Sequence, residues 1–208
     1  MTIRVLLVER PGTFTDALEA ELVAAQVEVV AVVSTGRDAI AFLERDRPDA
    51  IVMDLELPVP RVNLRKRRPM DGDGVALGLE IRKHWPEARM ILLSRWVDFG
   101  VAARALSSGF HGHLVKDSPV DELVRSIRDV ANGERVFSER LLSDETPEPY
   151  PDLSKMPEPP ATLTRLEREV FDLLVEGANT RKAARRLGMS PAEAGIYVRA
   201  ILRKLGLS

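Results

Sequence analysis

Through the first 133 residues, short apolar runs alternate with amphipathic stretches. The runs are Ile3–Val8, Val27–Val33, Ala50–Asp54, Met90–Ser94 and Gly112–Lys116. Several are apolar with little in–out alternation, the pattern of parallel strands covered on both faces. The stretches between them carry helical signals. One opens at Thr13, with Asp16 three residues on as a candidate reciprocal cap. Another places Val120, Leu123, Val124, Ile127, Val130 and Ala131 on one face. Strand and helix alternating five times predicts a doubly wound α/β domain, built on a five-stranded parallel sheet, over residues 1–133.

The pattern changes after Gly133. A candidate short helix lies around Ser138–Ser143, and Thr146–Pro160 then holds six of the chain's 14 prolines. Such a segment favours extended backbone and cannot propagate a helix, so 134–160 is predicted to be a linker. Residues 161–208 are helical in three pieces. Thr164 with Glu167 forms a capping box ahead of Leu166, Val170, Leu173 and Leu174, and Gly177 stops the helix. Asn179 caps a second, short helix that ends at Gly188. Ser190, Pro191 and Glu193 then supply an N-cap, a first-turn proline and a reciprocal carboxylate. The third helix is expected to bury Ala194, Val198, Ile201, Leu202 and Leu205. Two helices joined by a tight, Gly-containing turn predict a small all-α helix-turn-helix domain.

Charge sharpens that division. The net charge of −2 conceals a C-terminal segment (161–208) with nine Lys/Arg against five Asp/Glu, on a body that is acidic by six. A basic segment on an acidic body points to a polyanionic partner for that segment alone. With no cysteine, disulfides and thiolate metal sites are excluded. No stretch approaches the roughly 20 apolar residues of a membrane span. The N-terminal run lacks the basic opening and small-residue cleavage site of a secretion signal. No membrane partner and a cytoplasmic location are expected.

In an open parallel sheet, chemistry gathers at the carboxyl ends of the strands, where strand order reverses. Those ends carry Glu9 and Arg10, Asp54, Ser94 and Lys116. A carboxylate, a hydroxyl and an ammonium converging from separate strands suit phosphoryl chemistry. Asp54 is then the acceptor nucleophile, and Ser94 and Lys116 hold the acyl-phosphate oxygens. No second nucleophile–base pair or cofactor loop accompanies them, so a non-enzyme is expected.

The segments VLLVER, IVMDLELP, ILLS and GHLVKD, in this order and spacing, resemble the response-regulator receiver domain, a flavodoxin-like fold, over residues 1 to about 133. The run LTRLEREVFDLLVEGANTRKAARRLGMS resembles the LuxR-type helix-turn-helix, and the combination resembles the NarL/FixJ-type regulators. The resemblance implies a two-component transcription regulator that binds double-stranded DNA. It also implies Asp54 as phosphoacceptor, a cognate histidine kinase, and Mg²⁺ held by Glu9, Asp54 and the Glu56 carbonyl. The third helix is the last one legible, which puts a homodimer contact on the receiver or linker.

The departures from that pattern change the expectation. Arg10 stands where the family has a metal-binding acid, and a guanidinium cannot lose its proton. It is positioned to pair with Asp54 and mimic the metal's charge, which argues for control without ordinary Mg²⁺-dependent phosphorylation. An ordinary phospho-Asp54 switch is the alternative. Ten residues, VPRVNLRKRR, are inserted after Pro58 and include the basic run Arg65–Arg68, read as a solvated loop. His113, three before Lys116, replaces the aromatic that swings on activation in the family.

On the third helix, Ala192, Gly195, Ile196, Arg199 and Arg203 are expected to face the major groove, with Arg199 the candidate reader of guanine and Ile196 of a thymine methyl. Arg181, Lys182, Arg185, Arg203 and Lys204 suit phosphates. Glu193 is a capping residue first and a base reader second. Glu193 and Gly195 replace the family's usual threonine and lysine, which leaves an interaction module without specific DNA binding as a further alternative.

Overall fold

The computed structural model describes residues 2–58, 72–95, 99–137 and 161–205. The inserted run with Arg65–Arg68 and the candidate helix at Ser138–Ser143 lie outside the described residues. The chain divides into two units, residues 1–96 with 108–138, and residues 97–107 with 139–208.

Unit 1 alternates β1 (Ile3–Val8), α1 (Thr13–Ala24), β2 (Val27–Val33), α2 (Gly36–Leu43), β3 (Ala50–Asp54), α3 (Gly74–His84) and β4 (Met90–Ser94). It resumes with β5 (Gly112–Val115), α5 (Val120–Ala131) and β6 (Val136–Phe137). All strand pairs are parallel, in the order β2-β1-β3-β4-β5-β6. The sheet thus has one strand more than the five predicted. The addition falls in the segment read as linker, where Val136 N–H donates to the His111 carbonyl at 2.8 Å. Two residues are too few to show a period, so nothing in the sequence marks them.

The central strands β3, β4 and β5 are buried at every residue, which accounts for their lack of alternation. Val5 and Leu7 pack with Leu18 and Leu22 of α1 and with Leu123, Ile127 and Val130 of α5. Leu6 and Val8, one residue out of phase, are buried on the opposite face. The α5 stripe is therefore the core face the sequence predicted. At α1 the expected Thr13–Asp16 cap does not form: Thr13 is itself the first helical residue, and Gly12 precedes it without a side-chain cap.

Strand order reverses between β1 and β3, which opens a crevice at their carboxyl ends. The start of α3 closes one side of it. Asp73 caps α3 by accepting from Val75 and Ala76 N–H at 2.8 and 3.2 Å. Gly74 comes so close to the sheet that a Cβ there would sit 2.2 Å from the Asp54 carbonyl oxygen.

Unit 2 holds α4 (Phe99–Ser107), α6 (Arg165–Val175), α7 (Thr180–Leu187) and α8 (Pro191–Lys204). The predicted caps form: Thr164 with Glu167 and Ser190 with Glu193 make complete capping boxes, and Asn179 accepts from Lys182 N–H. Helix α8 packs against α6, α7 and α4. The buried residues Val170, Phe171, Leu174, Ala183, Ala194, Val198, Ile201 and Leu202 lie on these helices.

Candidate phosphoryl pocket and DNA-binding helices

The crevice brings together the strand-end residues that the sequence singled out. Glu9 and Asp54 are 6% and 5% exposed, and Lys116 lies between them. Its Nζ stands 3.1 Å from Asp54 Oδ2 and makes an ion pair with Glu9 Oε2. The ammonium also lies 5.2 Å from the centroid of the Phe14 ring, a cation–π contact. Burial pushes the Glu9 carboxyl above its ordinary range, aided by the Asp54 charge and opposed by the Lys116 hydrogen bond.

Arg10 is exposed at the rim. Its main-chain N–H donates to Glu9 Oε1 at 2.9 Å, and Thr15 Oγ1 donates to its carbonyl at 2.6 Å. Its guanidinium does not pair with Asp54, as the sequence suggested. Nη2 donates instead to the Glu56 carbonyl at 3.3 Å. Lys116 already serves Asp54 from inside the crevice, so the guanidinium takes the nearest main-chain acceptor. Glu56 N–H in turn donates to Asp54 Oδ1 at 3.2 Å. Glu56 therefore contributes its backbone here, and its side chain is exposed.

Ser94, at the end of β4, is 2% exposed and lies 2.9 Å from His113 through Oγ and Nε2. His113 is fully buried. The pocket above Glu9, Asp54 and Lys116 is about 610 Å³ and is also lined by Phe14, Thr15, Arg95 and Asp117; Ser94 and His113 are not among its lining residues. Sequence reading passed over these four. Arg95 and Asp117 immediately follow predicted strand ends and were findable on that ground; Phe14 and Thr15 enter through the path of α1, which no spacing specifies. Among the described residues, no group of three or more His, Asp or Glu is arranged to hold a metal ion.

In unit 2, Arg181, Lys182 and Arg185 on α7 are exposed, as are Ala192 and Arg203 on α8. Arg199 is partly buried. Glu193 is committed to its cap: Ser190 N–H donates to its Oε2 at 2.8 Å, and its own N–H donates to Ser190 Oγ at 3.2 Å. Three expectations require correction. Gly195 and Ile196, predicted to face outward, are buried, Ile196 completely. One apolar face of α8 meets α6 and α7 while α4 packs on it as well, and Ser107 Oγ donates to Tyr197 Oη at 3.5 Å. A helical wheel shows one stripe and cannot reveal that a distant segment covers another. Lys204, expected on phosphate, is held by the fully buried Glu167 at 2.7 Å and by the Thr162 carbonyl at 3.1 Å.

A parallel sheet with Glu9, Asp54, Ser94 and Lys116 gathered at its switch point, carried with a capped helix-turn-helix, defines a receiver-type regulator. The sequence matches the response regulator receiver domain over residues 5–128, and the bacterial regulatory proteins of the luxR family over residues 161–208. The chain belongs to the response regulators with a LuxR-type DNA-binding domain. It is 31% identical over 179 residues to the transcriptional regulatory protein DesR of Bacillus subtilis, covering 86% of this chain and 77% of the relative. It is 27% identical to the DNA-binding transcriptional activator DevR/DosR of Mycobacterium tuberculosis, covering 88% and 78%. Among solved structures, a LuxR-family two-component response regulator from Aurantimonas sp. matches with a TM-score of 0.59 at 25% identity, covering 67% of this chain and 92% of that one. RcsB of Salmonella typhimurium shares the fold, with a TM-score of 0.60 at 19% identity, covering 100% and 93%.

Proposed function

We propose that this two-component response regulator is a double-stranded-DNA-binding transcription regulator whose Asp54 pocket is controlled without ordinary Mg²⁺-assisted phosphorylation. The observation that carries this reading is the Arg10 hydrogen bond to the Glu56 carbonyl. A divalent cation bridging Glu9, Asp54 and that carbonyl would meet a guanidinium at one ligand and Lys116 at the other two. This donor set does not suit Mg²⁺, whose octahedral shell tolerates little displacement. The pocket's charge is instead balanced from within, by Lys116 between two carboxylates and Arg10 at the rim.

The domains we assign are the receiver at 1–133 with β6 (Val136–Phe137) added to its sheet, the rest of 134–160 as linker, and the DNA-binding domain at 161–208. Arg181, Lys182 and Arg185 hold phosphates, and Arg199 and Arg203 lie on α8 for contact in the groove. Base reading by the buried Gly195–Ile196 face requires that face to open, and that opening is the step regulation acts on. The working form is a homodimer, as RcsB binds DNA as dimers.

The test uses Mg²⁺ and a small phosphodonor on the full chain and on Arg10→Asp. The chain itself should gain no acid-labile phosphate, while Arg10→Asp should bind Mn²⁺ and acquire one on Asp54. Stoichiometric phosphate on the unaltered chain overturns the reading. It would favour the second one, an ordinary phospho-Asp54 switch charged by a cognate histidine kinase, which Lys116 set between Asp54 and Glu9 supports.

A further inference from the structure

Pro86 ends α3, because the residue before a proline is pushed out of helical backbone. Trp85 accordingly caps the helix at φ −142° and ψ 84°, while its N–H still donates to the Ile81 carbonyl at 2.8 Å. On α2, Ile40 and Leu43 are three residues apart and share a face. These four apolar side chains line a cavity of about 370 Å³ between the two helices, with Glu44, Arg47 and His84 at its rim. The rim residues are exposed, Ile40 and Trp85 are half-buried, and Leu43 and Ile81 are buried.

The rim groups do not single out a charged ligand. Arg47 sits over the Trp85 ring, 5.0 Å from its centroid, and its Nη1 donates to the Leu43 carbonyl. His84 Nε2 lies 3.6 Å from Glu80 Oε1. The Glu44 carboxylate opposes an anion, as Arg47 opposes a cation. What the lining offers is therefore apolar and aromatic surface. The volume is more than twice the roughly 150 Å³ in which a dry apolar cavity takes up benzene. It also falls within the range of about 300–1,000 Å³ of small-molecule sites, which are apolar with few polar groups. A fused pair of rings matches it better than a single ring.

We propose that Ile40, Leu43, Ile81 and Trp85 form a binding site for a small, uncharged, fused-ring aromatic molecule. The site is separate from the Asp54 pocket: Gly74, the first residue of α3, meets Asp54, whereas Ile81 and Trp85 lie at the other end of that helix. It stands independently of how Asp54 is controlled.

The test titrates the full chain with 2-naphthylmethanol and reads the indole N–H resonances of its two tryptophans. Trp85→Phe identifies the Trp85 resonance, and a saturable shift of that resonance is expected. Ile40→Gln, which puts a polar group on the lining, should weaken binding by about tenfold or more. Leu79→Gln makes the same kind of change at an exposed apolar residue of α3 outside the cavity, and should leave binding as it is. The amide spectrum of each variant reports its fold. 2-Naphthoate, the same ring system bearing a charge, should bind more weakly than the alcohol; equal or tighter binding overturns the uncharged class. A shift that does not saturate, an affinity unchanged in Ile40→Gln, or an equal loss in Leu79→Gln overturns the site.

Discussion

Ser94 Oγ lies 2.9 Å from His113 Nε2, and both side chains are closed off from water. A hydroxyl in this position is oriented by the imidazole, and each group meets a hydrogen-bonding demand of the other. Removing either partner takes this bond from a buried polar atom. Ser94→Ala and His113→Phe are each expected to cost about 1–3 kcal/mol, and the double variant less than the sum. Urea denaturation of the four proteins gives the coupling energy; additive costs would mean that the two groups do not interact.

Gly74 fixes the distance between α3 and the strand that ends in Asp54. Gly74→Ala places a methyl 2.2 Å from the Asp54 carbonyl oxygen, which is backbone and cannot swing aside. The helix start must retreat, at an expected cost of ~3 kcal/mol. Thermal denaturation should show the loss, whereas alanine at Gly12, which has open space around it, should show almost none.

Cations of the C-terminal helices fall into two groups with different signatures. Lys204 neutralises Glu167, which is fully buried, so Lys204→Met leaves an uncompensated charge and is expected to destabilise by roughly 3 kcal/mol. Arg181→Ala, Lys182→Ala and Arg185→Ala should barely change stability. Each should instead reduce the slope of log affinity against log salt by about 1 if it holds a phosphate. Chemical denaturation and salt-titrated DNA binding on the same set of variants separate the two roles.

His111 makes stability depend on pH in a defined direction. Burial and then Arg135, Arg82 and Arg89 hold its folded pKa below the ordinary value of 6.5. As pH falls through that value, the unfolded chain takes up a proton before the folded one does. Stability is therefore full above it and declines as pH drops toward the folded pKa, then levels. Thermal midpoints measured from about pH 8 down to about pH 5 should fall, and His111→Gln should flatten that part of the curve.

Much of this molecule is written in periodicity and caps. Uniformly apolar runs fix β1, β3 and β4 because a strand covered on both faces has no polar side to show. Thr164, Asn179 and Ser190 start their helices by local hydrogen bonds that need no partner elsewhere. The strand-end positions of Glu9, Asp54, Ser94 and Lys116 follow from the parallel order, so three of the residues that line the pocket, Glu9, Asp54 and Lys116, were legible too.

What required the tertiary structure is who meets whom. Arg10 and Glu56 lie 46 residues apart, and only the path of the chain beyond β3 brings the carbonyl under the guanidinium. Ile196 and Gly195 look solvent-facing on a wheel, yet α4 adds a second contact to α8 that sequence spacing does not encode. Lys204 reads as a phosphate ligand until Glu167, 37 residues earlier, is seen fully buried beside it. Local sequence determined the elements and their ends, because propensity, capping and burial pattern act over a few residues. The pairing of charges was decided by packing, because electrostatic partners are chosen in space.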